Sequence, residues 1–398
     1  MPDVISHAPP PPAPARSPLL SWLAVVAVAL GIFLIVTVEI LPIGLLTTIG
    51  SDFAITEGTA GLMMALPGVL AAVSAPLVTA ALGRADRRPA LAGFILLLAL
   101  ANFLAAMAPG YWLVLVSRVL VGVSIGGFWS IGAGLAVRLV PMRSVGRATT
   151  VIFSAVPLGS VLGVPLGTFI GDVAGWRAAF LTMAFLTLGV FALLLAVVPP
   201  LPPERAANLS VLGDLLRRTG TRYALAVTFL VVLAHFGAYT YVAPFLEQVP
   251  RMDSGLITVC LLIYGSAGVV GTFLAGSAVT RAPRAAFATA AALIAGATLA
   301  LAAFGRWDAV AVALLVVWGV AYGAVPVCSQ TWFAQAAPGA AEASSVLFTS
   351  SFQATIALGA LAGGAVVDHA SPSAVMVAGG ATAFLAVLTI GNHCLRRP

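Results

Sequence analysis

Stretch after stretch of some twenty apolar residues, separated by short polar connections, decides what this chain can fold into. In water such stretches would need a charged surface to cover them. The sequence cannot build one, because 8% of its 398 residues are charged and 61% are hydrophobic, against about 25% charged in a soluble domain. In a bilayer each stretch has one solution. Hydrocarbon offers no partner to an unpaired N–H or C=O, so every backbone bond must close within a helix. The pattern predicts an all-α membrane protein of twelve transmembrane helices, at residues 20–45, 61–82, 91–108, 112–136, 149–170, 178–198, 223–245, 256–279, 287–304, 309–327, 345–367 and 374–390.

Charge then orients the bundle. The nineteen basic residues are all arginines, and the net charge of +6 is informative by position and not as a nucleic-acid signal. One set of connections holds Arg16, Arg84, Arg87, Arg88, Arg138, Arg143, Arg147, Arg205, Arg217, Arg218, Arg222, Arg281, Arg284, Arg396 and Arg397, while the opposite set holds Arg177, Arg251 and Arg306. Loops rich in arginine stay in the cytoplasm, which predicts cytoplasmic termini in a bacterial inner membrane. Residues 1–18, with the run Pro9 to Pro12, lack the basic start and small-residue cleavage site of a signal peptide and read as a disordered tail. Cys260, Cys328 and Cys394 have no paired spacing, so neither a disulfide framework nor a metal site is expected.

An internal repeat divides the chain. Ala148-Thr-Thr-Val-Ile-Phe-Ser154 recurs as Ala343-Ser-Ser-Val-Leu-Phe-Thr349, and Gly122-Val-Ser-Ile-Gly126 recurs as Gly319-Val-Ala-Tyr-Gly323. Glu39-x-x-Pro42 matches Tyr241-x-x-Pro244, and Arg84-Ala-Asp-Arg87 matches Arg281-Ala-Pro-Arg284. The expected division is a tail (1–18), a six-helix bundle (19–198), a proline-rich cytoplasmic linker (199–222), a second bundle (223–392) and a short tail (393–398). Parallel repeats of this kind place a substrate site near the midplane between the halves, and one half rocks against the other.

Twelve spans in two parallel six-helix repeats resemble the major facilitator superfamily, and the local motifs resemble its twelve-span drug:proton antiporters. Thr37-Val-Glu-Ile-Leu-Pro42, Gly126-Gly-Phe-Trp129, Arg138-Leu-Val-Pro141 and Gly175-Trp-Arg177 are most similar to bacterial purine ribonucleoside efflux pumps, with sugar exporters as relatives. The resemblance implies a secondary transporter, and drugs, sugars and nucleosides all fit its scaffold.

Two charges stand inside spans. Glu39 has apolar neighbours for several turns, and an ionised carboxylate there would lose several kcal/mol of hydration unless it pairs, meets water or takes a proton. It either couples protons to transport or lies near the helix end and reaches bulk water. Arg118, in Arg118-Val-Leu-Val-Gly122, resembles the superfamily's span-four arginine and is assigned to proton coupling. The alternative is a structural arginine bonded to backbone carbonyls. Leu315 takes its place in the repeat.

Gly159, Gly163, Gly167 and Gly171 recur every fourth residue in span five and form one small-residue stripe. With Pro165 they resemble the antiporter motif of exporters, against which stands ordinary helix packing. The second half has scattered glycines at Gly359, Gly363 and Gly364. Between spans two and three, Asp86, Arg87 and Arg88 resemble the superfamily's cytoplasmic latch, although an arginine-rich loop satisfies the orientation rule by itself.

A substrate cavity is expected to draw on His235 and Tyr239, four residues apart on one helical face, and on Tyr241. Trp129, Gln330 and Gln353, with Trp332, could stack on or hydrogen-bond a planar ligand, with packing as the alternative for each aromatic. A phosphate-binding loop of the Gly-x-x-x-x-Gly-Lys type is excluded because the chain has no lysine. The spans hold no catalytic or metal-spaced cluster. The chain is therefore expected to be no enzyme and to need no cofactor. Its partners are a small-molecule substrate, protons and the lipid bilayer, without nucleic acid, and it is expected to work as a monomer. Export by proton antiport leads; proton-coupled uptake, and a membrane receptor that binds without transporting, are the alternatives.

Overall fold

The structure, a computed structural model, describes residues 17–81, 86–132, 135–202, 215–279, 281–336 and 341–395. Most of the predicted tails, Arg16, Arg84, Arg205, Arg396, Arg397 and the core of the linker fall outside the described residues. Among the described residues, twelve helices are long and apolar enough to cross a membrane. They are α1 (Pro18–Ile40), α2 (Leu62–Ala81), α3 (Arg87–Ala106), α4 (Tyr111–Gly132), α5 (Val145–Ala174), α6 (Trp176–Val197), α7 (Thr219–Tyr239), α8 (Ser254–Val279), α9 (Pro283–Phe304), α10 (Asp308–Ala336), α11 (Ala341–His369) and α12 (Pro372–Leu395).

The first span departs from the sequence expectation. It does not run unbroken to residue 45: α1 stops at Ile40 and continues as a 3-10 turn, Leu41–Leu45, and a short helix, Leu46–Asp52. Pro42 has no N–H to give and cannot continue the α-helical ladder. Its repeat, α7, ends at Tyr239 and restarts as a short helix, Val242–Gln248, around Pro244. Both halves therefore break their first helix at the same place.

Packing repeats as well. In the first half α1 lies on α5, α2 on α4, and α3 on α6; in the second α7 lies on α11, α8 on α10, and α9 on α12. The repeated glycines explain one pair of these contacts. A Cβ on Gly122 would stand 2.6 Å from the Pro67 carbonyl oxygen and one on Gly126 2.7 Å from that of Ala71, while Gly319 and Gly323 press in the same way on Tyr264 and Gly268. The halves meet along α2 with α11 and α5 with α8. Large apolar side chains such as Leu77, Trp112, Phe169, Phe185 and Phe273 stay exposed on the outside, as a surface turned to lipid requires.

At the arginine-poor end of the first half, Gly175-Trp-Arg177 staples three connections. Gly175 ends α5 at φ 84°, a backbone conformation that a side chain would strain. Arg177 then pairs with Asp52 at 2.7 Å and donates to the Ala108 carbonyl at 3.2 Å, and the Trp176 indole donates to Asp52 at 3.2 Å. At the arginine-rich end Asp86 caps α3, accepting the Arg88 N–H at 2.8 Å and the Leu201 N–H at 2.9 Å. Those two backbone donors, with the Arg88 and Arg138 charges nearby, hold its carboxyl below the usual carboxylate range.

Candidate substrate and coupling site

Glu39 is the next-to-last residue of α1, and the break at Pro42 organises what surrounds it. In a continuing helix the Val38 carbonyl would accept from residue 42, but proline has no N–H. The Arg118 guanidinium fills the gap, donating to that carbonyl at 3.1 Å from α4. Arg118 has 0% exposure, lies 5.5 Å over the Phe180 ring and leaves Nε and Nη2 without a hydrogen-bond partner among the described residues. A buried cation is thereby fixed one residue from a carboxylate. Glu39 reaches across to the other half, where the Gln353 side chain on α11 donates to Oε1 at 2.9 Å. A partly exposed carboxylate with an amide on one side and a guanidinium beside it can accept and give up a proton without a covalent step.

Facing this polar pair, α7, α8 and α10 build an aromatic block. His235 stacks on Tyr322 at 3.3 Å between centroids and 7° between planes, and Tyr239 stacks on Tyr264 at 4.5 Å and 24°. His235 and Tyr264 are themselves within 14° of parallel, so four rings share one orientation. Trp318 meets His235, Tyr239 and Tyr264 edge-on, at 75°, 86° and 76°. Stacked and edge-on contacts are both attractive for aromatic rings. Three polar atoms within the block, His235 Nδ1, Tyr264 Oη and Trp318 Nε1, are buried without a partner among the described residues. Such atoms are costly unless a ligand or water meets them.

The other candidate residues divide by place. Tyr241 lies nearer the arginine-poor closure, where its hydroxyl donates to the Ala360 carbonyl at 2.8 Å and its ring packs against Gly61 and Gly364. Trp129 packs on Phe153 at 6.3 Å, inside the first half. Gln330 is exposed, and Trp332 is buried against Phe287. The glycine stripe backs the helix that carries Glu39: a Cβ on Gly159, Gly163, Gly167 or Gly171 would meet Val36, Ile40, Leu41 or Leu45 of the first span at 2.5 to 3.0 Å. Pro165 lies within α5 two residues from Gly163 and from Gly167, and so off their face of the helix. At the latch, the Asp86 acceptors take backbone donors, the Arg87 N–H donates to the Leu201 carbonyl at 2.9 Å, and the Arg88 guanidinium bonds the Leu195 carbonyl.

Sequence reasoning missed Tyr264, Tyr322 and Trp318, although the sequence places an aromatic in the middle of each span concerned. Among the described residues no group of three His, Cys, Asp or Glu could hold a metal. Comparison with known proteins gives the architecture a family. Residues 28–352 match the model of the Major Facilitator Superfamily. The chain belongs to the major facilitator superfamily. Within that superfamily it is 33% identical over 351 residues to the "Purine ribonucleoside efflux pump NepI" of Salmonella paratyphi A, covering 88% of each chain. It is 34% identical over 377 residues to the "Transcription regulatory protein OpdE" of Pseudomonas aeruginosa, covering 93% of this chain and 94% of that one. Among solved structures, a bacterial homolog of the human lysosomal transporter Spinster, inward-facing and occupied, superposes with TM-score 0.75 at 15% identity over 95% of this chain and 97% of that one. The human organic anion transporter MFSD10 superposes with TM-score 0.67 at 19% identity, over 94% and 100%. This superfamily member is thus a multi-pass membrane transporter with the two-half fold that its sequence repeat foretold.

Proposed function

We propose that the protein is a proton-coupled antiporter that exports a small, uncharged organic molecule with a planar ring, a purine nucleoside being the leading candidate. The observation that carries this reading is the Glu39 to Gln353 hydrogen bond, which ties the one carboxylate of α1 to the opposite half beside Arg118. A proton on Glu39 would remove the charge that Arg118 attracts and alter a bond that spans the halves, so proton loading and the relative position of the halves become linked. The aromatic block supplies parallel ring faces and buried polar atoms suited to a planar heterocycle. The efflux function named for the Salmonella relative supports the direction and the substrate class. The arginine-rich face lies in the cytoplasm of a bacterial inner membrane, and a monomer suffices.

The driving force is adequate. A proton falling through roughly 100 mV gains about 2.3 kcal/mol, and one pH unit adds about 1.4 kcal/mol. One-for-one exchange could hold a substrate gradient of nearly three decades.

Inside-out vesicles with an acidic lumen should accumulate labelled inosine or adenosine, and Glu39→Gln should abolish that accumulation while leaving substrate binding within about threefold. Undiminished accumulation by Glu39→Gln would overturn the coupling assignment. The name of the Pseudomonas relative favours a second reading, a membrane sensor that binds its ligand without moving it. Saturation of vesicle uptake at one ligand per protein would select the sensor.

A further inference from the structure

We propose that Asp368, at the end of α11, is a gating residue whose hydrogen bonds to the first half hold the transporter closed on its arginine-poor side. Four side-chain hydrogen bonds join the halves among the described residues. One is Gln353 to Glu39 at mid-depth, and the other three cluster at the arginine-poor end. Two of these three end on a single carboxylate. The Gly58 N–H donates to Asp368 Oδ1 at 2.8 Å and the Thr56 hydroxyl donates to Oδ2 at 2.7 Å, so both oxygens are engaged by one short connection of the first half. The third joins Gln248 to Glu57 beside them.

The close approach is built into the backbone. A Cβ on Gly58 would overlap the Asp368 carboxylate and stand 2.5 Å from the Gly364 carbonyl oxygen, so α11 can come this near only because residue 58 has no side chain. Thr56 also accepts from the Thr59 N–H at 3.1 Å, which sets its hydroxyl for the carboxylate. Bonds to a charged acceptor are stronger than neutral ones. Asp368 is exposed, so water on that face competes for it and the contact can break on the timescale of transport. Rocking of the halves, the motion that the superfamily fold implies, must separate Gly58 and Thr56 from Asp368 in every cycle.

The experiment places spin labels at Met107→Cys and Phe304→Cys, exposed positions at the arginine-poor end of each half, in protein with Cys260, Cys328 and Cys394 replaced by serine. Double electron–electron resonance then reads the populations of closed and open distances in lipid nanodiscs. Asp368→Ala should raise the open-to-closed ratio at least about tenfold, Thr56→Val several-fold, and Asp368→Asn, which keeps an acceptor for Gly58, less than Asp368→Ala. A wild-type distance distribution in folded Asp368→Ala overturns the proposal; if that variant does not fold, an unshifted Thr56→Val does so. The readout needs no substrate and no proton gradient, so it fails or succeeds independently of the Glu39 coupling reading.

Discussion

Glu39 and Tyr241 occupy matching places, each three residues before the proline that interrupts the first helix of its half. Both side chains bond to α11, Glu39 to Gln353 across the interface and Tyr241 to Ala360 within its own half. The same backbone device therefore presents a titratable group in one half and a hydroxyl that stays neutral in the other. Arg118 sharpens the contrast: it and Leu315, its counterpart, are both fully buried, but only the arginine can fill the carbonyl left open by a proline. The first half carries charge and the second carries aromatic surface. On the proposed function, two copies of one fold divide coupling from recognition.

The most damaging way to erase that division is Arg118→Leu, which gives the first half the residue of the second. The Val38 carbonyl loses its partner and Glu39 its neighbouring cation. Gradient-driven accumulation in inside-out vesicles should fall at least about 100-fold, because the cation that the coupling reading sets beside Glu39 is gone. Adding Leu315→Arg should not restore it, because the guanidinium would then stand in the second half, where the position matching Glu39 is the uncharged Tyr241. Recovery in the double variant would show that the halves are interchangeable.

The glycines test a similarity that the sequence understates. Span five carries a regular stripe and span eleven does not, yet Gly359 and Gly363 press on α7 as Gly159 and Gly163 press on α1. A Cβ on Gly363 would overlap the Gly237 carbonyl oxygen, which is rigid backbone, whereas one on Gly163 would meet the Ile40 side chain at 3.0 Å. Gly363→Ala should cost about 1–3 kcal/mol and Gly163→Ala less than about 1, read as thermal unfolding in detergent. The reverse order would mean that the regular stripe, and not the closest contact, sets helix approach.

What could be read in advance follows from physical range. Spans are local sums of apolar side chains, so hydropathy located all twelve, and the repeat paired them correctly because both halves inherit the same packing glycines. The Pro42 break was visible as a residue but not as a consequence, since the carbonyl it frees is met by Arg118 from 80 positions away. Glu39 with Gln353 spans 314 positions, and Asp368 with Thr56 spans 312. No pattern within one helix announces such contacts. The aromatic block is intermediate: His235 and Tyr239 share a helical face, but Tyr264, Trp318 and Tyr322 join them only after α8 and α10 are packed.

That block predicts a smaller, more selective effect. His235→Phe keeps a flat ring against Tyr322 and removes the unpartnered nitrogen. For a purine nucleoside, KM should rise about tenfold, or about 1.4 kcal/mol, with the proton-to-substrate ratio unchanged. A changed ratio with unchanged KM would move recognition out of the second half.

The smallest effect lies at the arginine-rich end, where the repeats differ at the start of their third helices. Asp86 caps α3 and binds the Leu201 N–H, whereas its counterpart, Pro283, starts α9 with a fixed φ and no charge. A carboxyl held below its ordinary value stabilises the fold above its unfolded pKa of about 3.9 and loses that contribution as pH falls through the folded value. Asp86→Ala should therefore lower thermal stability by about 0.5–2 kcal/mol at pH 7, in the range for a lost N-cap, and the gap from the wild type should close as pH falls from 5 toward 3. Pro283→Ala should show no such pH dependence. A gap for Asp86→Ala that persists at pH 3 would mean that Asp86 acts through packing and not through its charge, and this difference between the halves would disappear.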